Sequence, residues 1–176
     1  VWGPPGAERD QRRLANRPLL EKPITSELGN VSPWIFVPGP YSPRQLAFQA
    51  ENVAASVTNH VSFNCVATKV LVTWKRWPQR EQFLDGIDAV FARTPRRVSY
   101  YPGAVERYRQ FTGTDSAAEL TDTLPWTLLR DVNPDQNPRF FQEESFVCVM
   151  VELALDAPTP ESFLREAVEF ANERLS

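Results

Sequence analysis

Short apolar runs alternate with stretches of helical periodicity along most of this chain, and that alternation constrains the fold more than any other feature. The apolar runs predict strands at 34–37, 69–73, 127–129 and 146–153. The periodic stretches predict helices at about 7–16, 42–60, 78–93 and 105–111, and from Thr159 onwards. Because strands and amphipathic helices in alternation are typical of α/β proteins, we predict an α/β domain with a largely parallel sheet flanked by helices.

The second helix has the clearest sequence signals. Ser42 is a suitable N-cap, Pro43 fits the first turn, and Gln45 stands three residues after Ser42, as a capping box requires. A stripe of apolar side chains follows at helical spacing, consisting of Leu46, Ala50, Val53 and Val57. These signals predict a buried helix that ends near His60.

Composition excludes several classes of protein. A length of 176 residues suits one domain, and 42% hydrophobic residues argue against disorder. The net charge of -3 predicts neither nucleic acid nor an anionic membrane as a partner. No apolar run approaches the roughly 20 residues that cross a bilayer. The two cysteines form no disulfide framework, and the start has no signal-peptide pattern, so we expect a cytoplasmic protein.

Cys65 is the first candidate for chemistry, because it lies between a predicted helix and a predicted strand. Such junctions place a side chain at the edge of a sheet, where catalytic groups are common. A thiol becomes a useful nucleophile when a base, a cation or amide dipoles favour its thiolate. Taken alone, a cysteine at this position is more often a small buried hydrophobic residue.

Three sequence segments, taken in their order along the chain, favour a catalytic role for Cys65. The first contains Glu27-Leu28-Gly29, the second contains Cys65 followed by a strand that begins at Lys69, and the third is 142–146. They resemble the glutamate motif, the cysteine segment and the Glu-Glu-x-Phe signature of the aldehyde dehydrogenase superfamily. The resemblance covers nearly the whole chain, and its specificity comes from the order and spacing of the three segments.

The resemblance implies a role for four residues. Cys65 would attack the aldehyde carbonyl, and Glu27 would activate the water that hydrolyses the resulting thioester. Glu144 would bind the ribose of the nicotinamide cofactor, NAD or NADP, and Phe146 would lie near the nicotinamide ring. The resemblance also implies a small-molecule aldehyde as substrate, no metal, and a homo-oligomer when the protein is full length.

The chain departs from the family pattern at each motif. Asn30 replaces the second glycine of the glutamate motif, and 62–64 replace the Gly-Gln pair that usually precedes the cysteine. Val147 and Cys148 stand where Gly and Pro are usual. We expect Val147 to be the most disruptive change, because a β-branched residue is excluded from backbone geometry that only glycine adopts.

The motifs also predict how the chain is divided. Residues 1–26 are predicted to be the tail end of a nucleotide-binding domain and a linker, and 27–176 a catalytic domain truncated at its C-terminal end. Most of the nucleotide-binding domain would then lie outside this chain. We therefore expect a catalytic-domain fragment that is inactive by itself.

Three alternatives remain open at the level of sequence. The altered motifs also fit a non-catalytic homologue or scaffolding domain that keeps the fold. An acylating enzyme would transfer the thioester to coenzyme A instead of water. A cysteine hydrolase would use His60, the only histidine, as the base for Cys65, and it requires the two side chains to be within hydrogen-bond reach.

Overall fold

A computed structural model describes residues 1–20, 22–23, 25, 29–114 and 122–175. The helices are α1 (Ala7–Leu14), α2 (Pro43–Thr58), α3 (Arg80–Arg93), α4 (Ala104–Thr112), α5 (Arg139–Gln142) and α6 (Pro160–Glu173). A short 3-10 turn, Asn59–Ser62, follows α2. The strands are β1 (Pro33–Ile35), β2 (Val70–Trp74), β3 (Thr127–Leu129) and β4 (Val149–Leu155).

The four strands form one parallel sheet in the order β1-β2-β4-β3. Val70 of β2 pairs with Pro33 on one side and with Val151 on the other. The prediction of an α/β fold with a parallel sheet and flanking helices is therefore confirmed. Since all four strands run in the same direction, the segments that precede β1, β2 and β4 meet at one edge of the sheet.

Helices cover both faces of the sheet, so its central strand β2 is apolar on both sides. Val70 and Val72 face α6 and pack with its Phe163 and Ala167. Leu71 points to the opposite face and belongs to the core beneath α2 and α3. This burial on both faces explains why the sequence of β2 is a continuous apolar run and does not alternate between apolar and polar residues.

The predicted capping signals of two helices are present in the structure. Ser42 accepts a hydrogen bond from the Gln45 amide and the Gln45 side chain accepts one from the Ser42 amide, so the capping box is present. Thr159 caps α6 in the same way, with Pro160 in the first turn. Among the described residues, no helix is long and apolar enough to cross a membrane.

Several predicted boundaries differ from the structure by a few residues, and two of these differences follow from left-handed backbone. The helix predicted to reach His60 ends at Thr58, because the backbone turns left-handed at His60. The strand predicted from Phe146 begins at Val149, because Phe146 has a φ of 46° and leaves the extended conformation. Neither the 3-10 turn nor α5 was predicted, since both are short and lack apolar periodicity.

A buried ion pair lies on one face of the sheet, between β4 and the start of α3, away from the edge where the motif segments meet. Glu152 of β4 is fully buried, and both its carboxylate oxygens accept hydrogen bonds from the Arg80 guanidinium, at 2.9 and 2.7 Å. The Asp131 amide donates to the same carboxylate at 2.9 Å, and the Thr73 hydroxyl donates to it as well. These bonds satisfy a charge that would otherwise be costly to bury.

Candidate active site

The edge of the sheet at the N-terminal ends of its strands brings the motif segments together. Cys65 precedes β2, which lies between β1 and β4, so its loop lies between the segments that precede the other two strands. Hydrogen bonds connect the first two of these loops directly. The Ser32 hydroxyl donates to the Cys65 carbonyl at 2.7 Å, and the Lys69 amide donates to the Ser32 carbonyl at 2.9 Å.

The backbone around Cys65 is fixed while its side chain is exposed. The Asn64 side chain accepts a hydrogen bond from the Val66 amide at 3.1 Å, and the Ala67 amide donates to the Asn64 carbonyl at 3.2 Å. Asn side chains commonly stabilise tight turns in this way. Cys65 is solvent-exposed, which corrects the view that a lone cysteine here would be a buried hydrophobic residue.

The turn that leads to Cys65 has unusual backbone geometry. His60, Val61 and Ser62 have φ values of 49°, 57° and 66°, so three successive residues other than glycine are left-handed. Left-handed residues of this kind cost about 1–3 kcal/mol each and concentrate at functional sites. Val61 is the least tolerant of the three because it is β-branched, and it is buried. No sequence signal predicted this turn, since it contains no glycine.

Glu144 approaches the glutamate-motif loop at Gly29. A Cβ atom placed on Gly29 would lie 1.7 Å from Oε2 of Glu144, so any larger residue at this position would displace the Glu144 carboxylate. Burial raises the pKa of Glu144, and the positive charges of Lys69 and Arg107 oppose that shift. Within the described part of the chain, Oε1 of Glu144 is buried and has no hydrogen-bond partner. An unpaired buried carboxylate oxygen fits a site that accepts hydrogen bonds from a ligand hydroxyl.

Glu27, the predicted partner of Cys65, lies outside the described residues. The nearest described neighbour in its motif is Gly29, which contacts Glu144. Pairing of Glu27 with Cys65 therefore stays a prediction.

Phe146 belongs to a cluster of four aromatic rings beside the cysteine loop. Its ring centroid lies 5.0 Å from that of Tyr101 and 5.7 Å from that of Phe63, and Phe63 also contacts Tyr100 at 5.0 Å. Phe63 is two residues before Cys65, so the cluster joins the cysteine segment to the third motif.

The expectation that Val147 would be the most disruptive departure was wrong. Val147 is fully buried and is not among the residues with positive φ, whereas its neighbour Phe146 is. The left-handed residue of this segment is thus Phe146, whose side chain is not β-branched. Val147 can therefore pack in the core without backbone strain.

Lys69 is a residue of the site that the sequence did not identify. It is 3% exposed, and its ammonium group donates to the Ser62 carbonyl and hydroxyl, both at 3.1 Å, and to the Val147 carbonyl at 3.4 Å. Burial lowers its pKa from 10.5 to about 8, although Glu144 favours the charged form. A lysine directly before an apolar strand was the available signal.

The structure does not support a pairing of His60 with Cys65. Both residues are exposed and described, and no hydrogen bond joins their side chains in the described structure. The geometric condition for a cysteine hydrolase that uses His60 is therefore not met.

Comparison with solved structures identifies the fold. Three similar structures are salicylaldehyde dehydrogenase from Pseudomonas putida G7 in complex with salicylaldehyde, indole-3-acetaldehyde dehydrogenase in complex with NAD+, and NADP-dependent glyceraldehyde-3-phosphate dehydrogenase from Bacillus halodurans C-125 in complex with NADP. Their TM-scores are 0.66, 0.62 and 0.64, at sequence identities of 18%, 20% and 17%. The matches cover 96%, 84% and 88% of this chain.

The same matches cover only 35%, 32% and 34% of the solved chains, so this chain spans about a third of their length. No protein-family model matches the sequence, and comparison with curated proteins found no significant match. The similarity that these comparisons show is thus one of fold. The resemblance predicted from the three motifs is confirmed at that level: the chain has the fold of a part of the aldehyde dehydrogenases.

Proposed function

We propose that this chain is the cysteine-bearing, catalytic-domain part of an enzyme that oxidises an aldehyde to a carboxylic acid with NAD+ or NADP+. The observation that carries the proposal is the meeting of three motif segments at one edge of the sheet. There the exposed thiol of Cys65 lies on a fixed loop between the segment of Gly29 and that of Glu144.

In this proposal Cys65 is the nucleophile. Its sulfur attacks the carbonyl carbon of the aldehyde, and the thiol proton passes to the carbonyl oxygen, giving a thiohemiacetal. Loss of a hydride from that carbon to the nicotinamide acceptor, and of the hydroxyl proton to water, would leave a thioester on Cys65. Water then cleaves the carbon–sulfur bond, which releases the acid and restores the thiol. Glu27 is the base that takes a proton from this water.

Glu144 and Phe146 are the proposed cofactor residues. NAD+ or NADP+ supplies the hydride acceptor when it is bound. The unpaired oxygen of Glu144 fits this role, because an ionised carboxylate accepts hydrogen bonds from the two neighbouring hydroxyls of a ribose. Phe146 offers an aromatic ring at the same edge of the sheet, suited to contact with a planar nicotinamide.

The complete activity belongs to a longer protein in this proposal. Residues 1–26 form the end of a nucleotide-binding domain and a linker, and 27–176 form part of the catalytic domain. A small aldehyde is the substrate, and the full-length protein is a homo-oligomer. We expect this chain alone to bind NAD+ poorly and not to oxidise aldehydes, and NAD+-dependent oxidation by the isolated chain would contradict this.

The experiment is a comparison of thiol reactivity. Cys148 is a poor control, because it is buried and its pKa is raised to about 12. A matched control is Val168→Cys in a Cys65→Ala background, which puts an exposed thiol on α6 away from the site. We expect iodoacetamide at pH 7 to modify Cys65 at least about tenfold faster than this control thiol.

Equal rates for the two exposed thiols would favour a scaffolding domain over an enzyme. In the full-length protein, Cys65→Ala should abolish turnover, and retained turnover would remove Cys65 from the mechanism. The two measurements separate activation of the thiol from completion of the reaction.

A further inference from the structure

Lys69 connects two parts of the candidate site that are distant in sequence. Its three N–H groups have three acceptors, of which two belong to Ser62 and one to Val147. Ser62 is in the turn that leads to Cys65, and Val147 follows Glu144 by three residues. One buried side chain thereby links the turn that leads to Cys65 to the segment after Glu144.

Both connected segments have backbone conformations that require outside support. The turn contains the left-handed residues His60, Val61 and Ser62, and the second segment contains left-handed Phe146. Such conformations persist only where surrounding contacts determine them. The Lys69 ammonium binds the carbonyls of Ser62 and Val147, which lie within or next to these strained positions.

Lys69 also places a buried positive charge between these two segments. Glu144 is the ionised group that favours the charged form of Lys69, whereas Cys148, whose pKa is raised to about 12, is a neutral thiol near neutral pH. Arg107 acts on Glu144 as well, and Arg96 acts on Cys148. Of the two cations acting on Glu144, the buried Lys69 has the larger effect.

We propose that Lys69 is a positioning residue of this site: it holds the Cys65 turn and the segment after Glu144 in one arrangement. The positive charge of Lys69 also favours the ionised form of the Glu144 carboxylate. The contacts of Lys69 do not depend on the proposed function, whereas the importance of Lys69 for cofactor binding rests on it. Keeping Glu144 ionised preserves its ability to accept hydrogen bonds from ribose hydroxyls.

The first test uses three variants of this chain. Lys69→Met keeps the apolar stem and removes the charge and the donors, Lys69→Arg keeps the charge, and Lys75→Met removes an exposed lysine near the end of β2 as a matched control. Hydrogen exchange is followed at the Phe63 amide, which bonds within the turn, and at the Val149 amide, which bonds to the Val147 carbonyl. Carbon-detected NMR follows the titration of the Glu144 carboxyl group.

We expect Lys69→Met to speed exchange at both amides about tenfold or more while the amides of α6 are unchanged. The pKa of Glu144 should rise in Lys69→Met, stay near the wild-type value in Lys69→Arg, and be unaffected in Lys75→Met. Uniformly faster exchange along the chain with an unchanged Glu144 titration would reduce Lys69 to a general stabilising residue and overturn the proposal.

A second test needs no variant, so it holds even if Lys69→Met fails to fold. In the wild-type chain, the carboxyl carbon of Glu144 should show a second inflection near pH 8, where Lys69 loses its proton. A titration of Glu144 without that inflection would show that the Lys69 charge does not act on it. Neither test depends on thiol reactivity, so failure of the proposed enzyme and failure of this inference are distinguishable.

Discussion

The contact between Gly29 and Glu144 can be tested by adding one methyl group. In Gly29→Ala the new Cβ would lie 1.7 Å from Oε2, 2.4 Å from Cδ and 2.8 Å from Oε1 of Glu144. Non-bonded carbon and oxygen atoms need roughly 3 Å or more, so the carboxylate must move by more than about 1 Å. Gly29 does not have a positive φ, and the substitution therefore adds no backbone strain of its own.

Overfilling a packed site costs about 1–3 kcal/mol, and a movable carboxylate puts the expected cost near the lower end. With a urea m-value of about 1–3 kcal/mol/M, the midpoint should fall by roughly 0.3–1 M. Gly39→Ala is the matched control, because its Cβ would meet only a Tyr41 ring carbon at 3.6 Å. It should change the free energy of unfolding by less than about 0.5 kcal/mol.

A double-mutant cycle assigns the cost to the clash. If the methyl group destabilises the chain by displacing the carboxylate, Gly29→Ala should cost little in a Glu144→Ala background. An equal cost with and without the Glu144 side chain would refute the contact. It would also remove the evidence that the glutamate-motif loop and the third motif share one site.

Three further predictions concern strain, a buried charge and pH. His60→Gly should stabilise the chain by about 1 kcal/mol in urea unfolding, since His60 is exposed and left-handed just beyond the end of α2, and a loss of stability would contradict the assigned geometry. Arg80→Met should cost about 3–5 kcal/mol because it leaves the Glu152 carboxylate buried without its cation, whereas Arg76→Met, which removes an exposed pair, should cost less than about 1 kcal/mol. The pKa of Lys69 is about 8 in the folded chain and 10.5 in the unfolded chain, so the unfolded chain binds the proton more tightly. The free energy of unfolding should therefore rise by about 1 kcal/mol between pH 7.5 and 9, relative to that of Lys69→Met. A difference between the two proteins that does not change with pH would contradict the lowered pKa.

The elements were predictable from sequence where local signals and burial agree. The Ser42–Gln45 capping box fixed the start of α2, and the apolar run from Val70 identified a strand covered on both faces. The parallel sheet followed from the alternation of strands and helices. These features depend on residues that are close together in the chain.

The geometry of the site depends on contacts between distant residues, and those were not predictable. The order of the motifs predicted that Cys65 and Glu144 belong to one site, but the order of the strands, which brings their loops side by side, was not predictable. The positive φ values at His60 and Phe146 were not predictable, because neither residue is a glycine. The burial of Lys69 was equally hidden, because a lysine before a strand is usually solvated.

Acylation of Cys65 tests the central claim most directly, because formation of a thioester on that sulfur is the step assigned to this part of the protein. The chain is treated with 4-nitrophenyl acetate, whose acetyl group passes to a thiolate as 4-nitrophenolate leaves, and the product is mapped by mass spectrometry. The account predicts an acetyl thioester on Cys65 that forms faster than on the Val168→Cys control thiol and is absent in Cys65→Ala. Acetylation of Cys65 no faster than that of the control thiol would contradict the assignment of Cys65 as an enzymatic nucleophile.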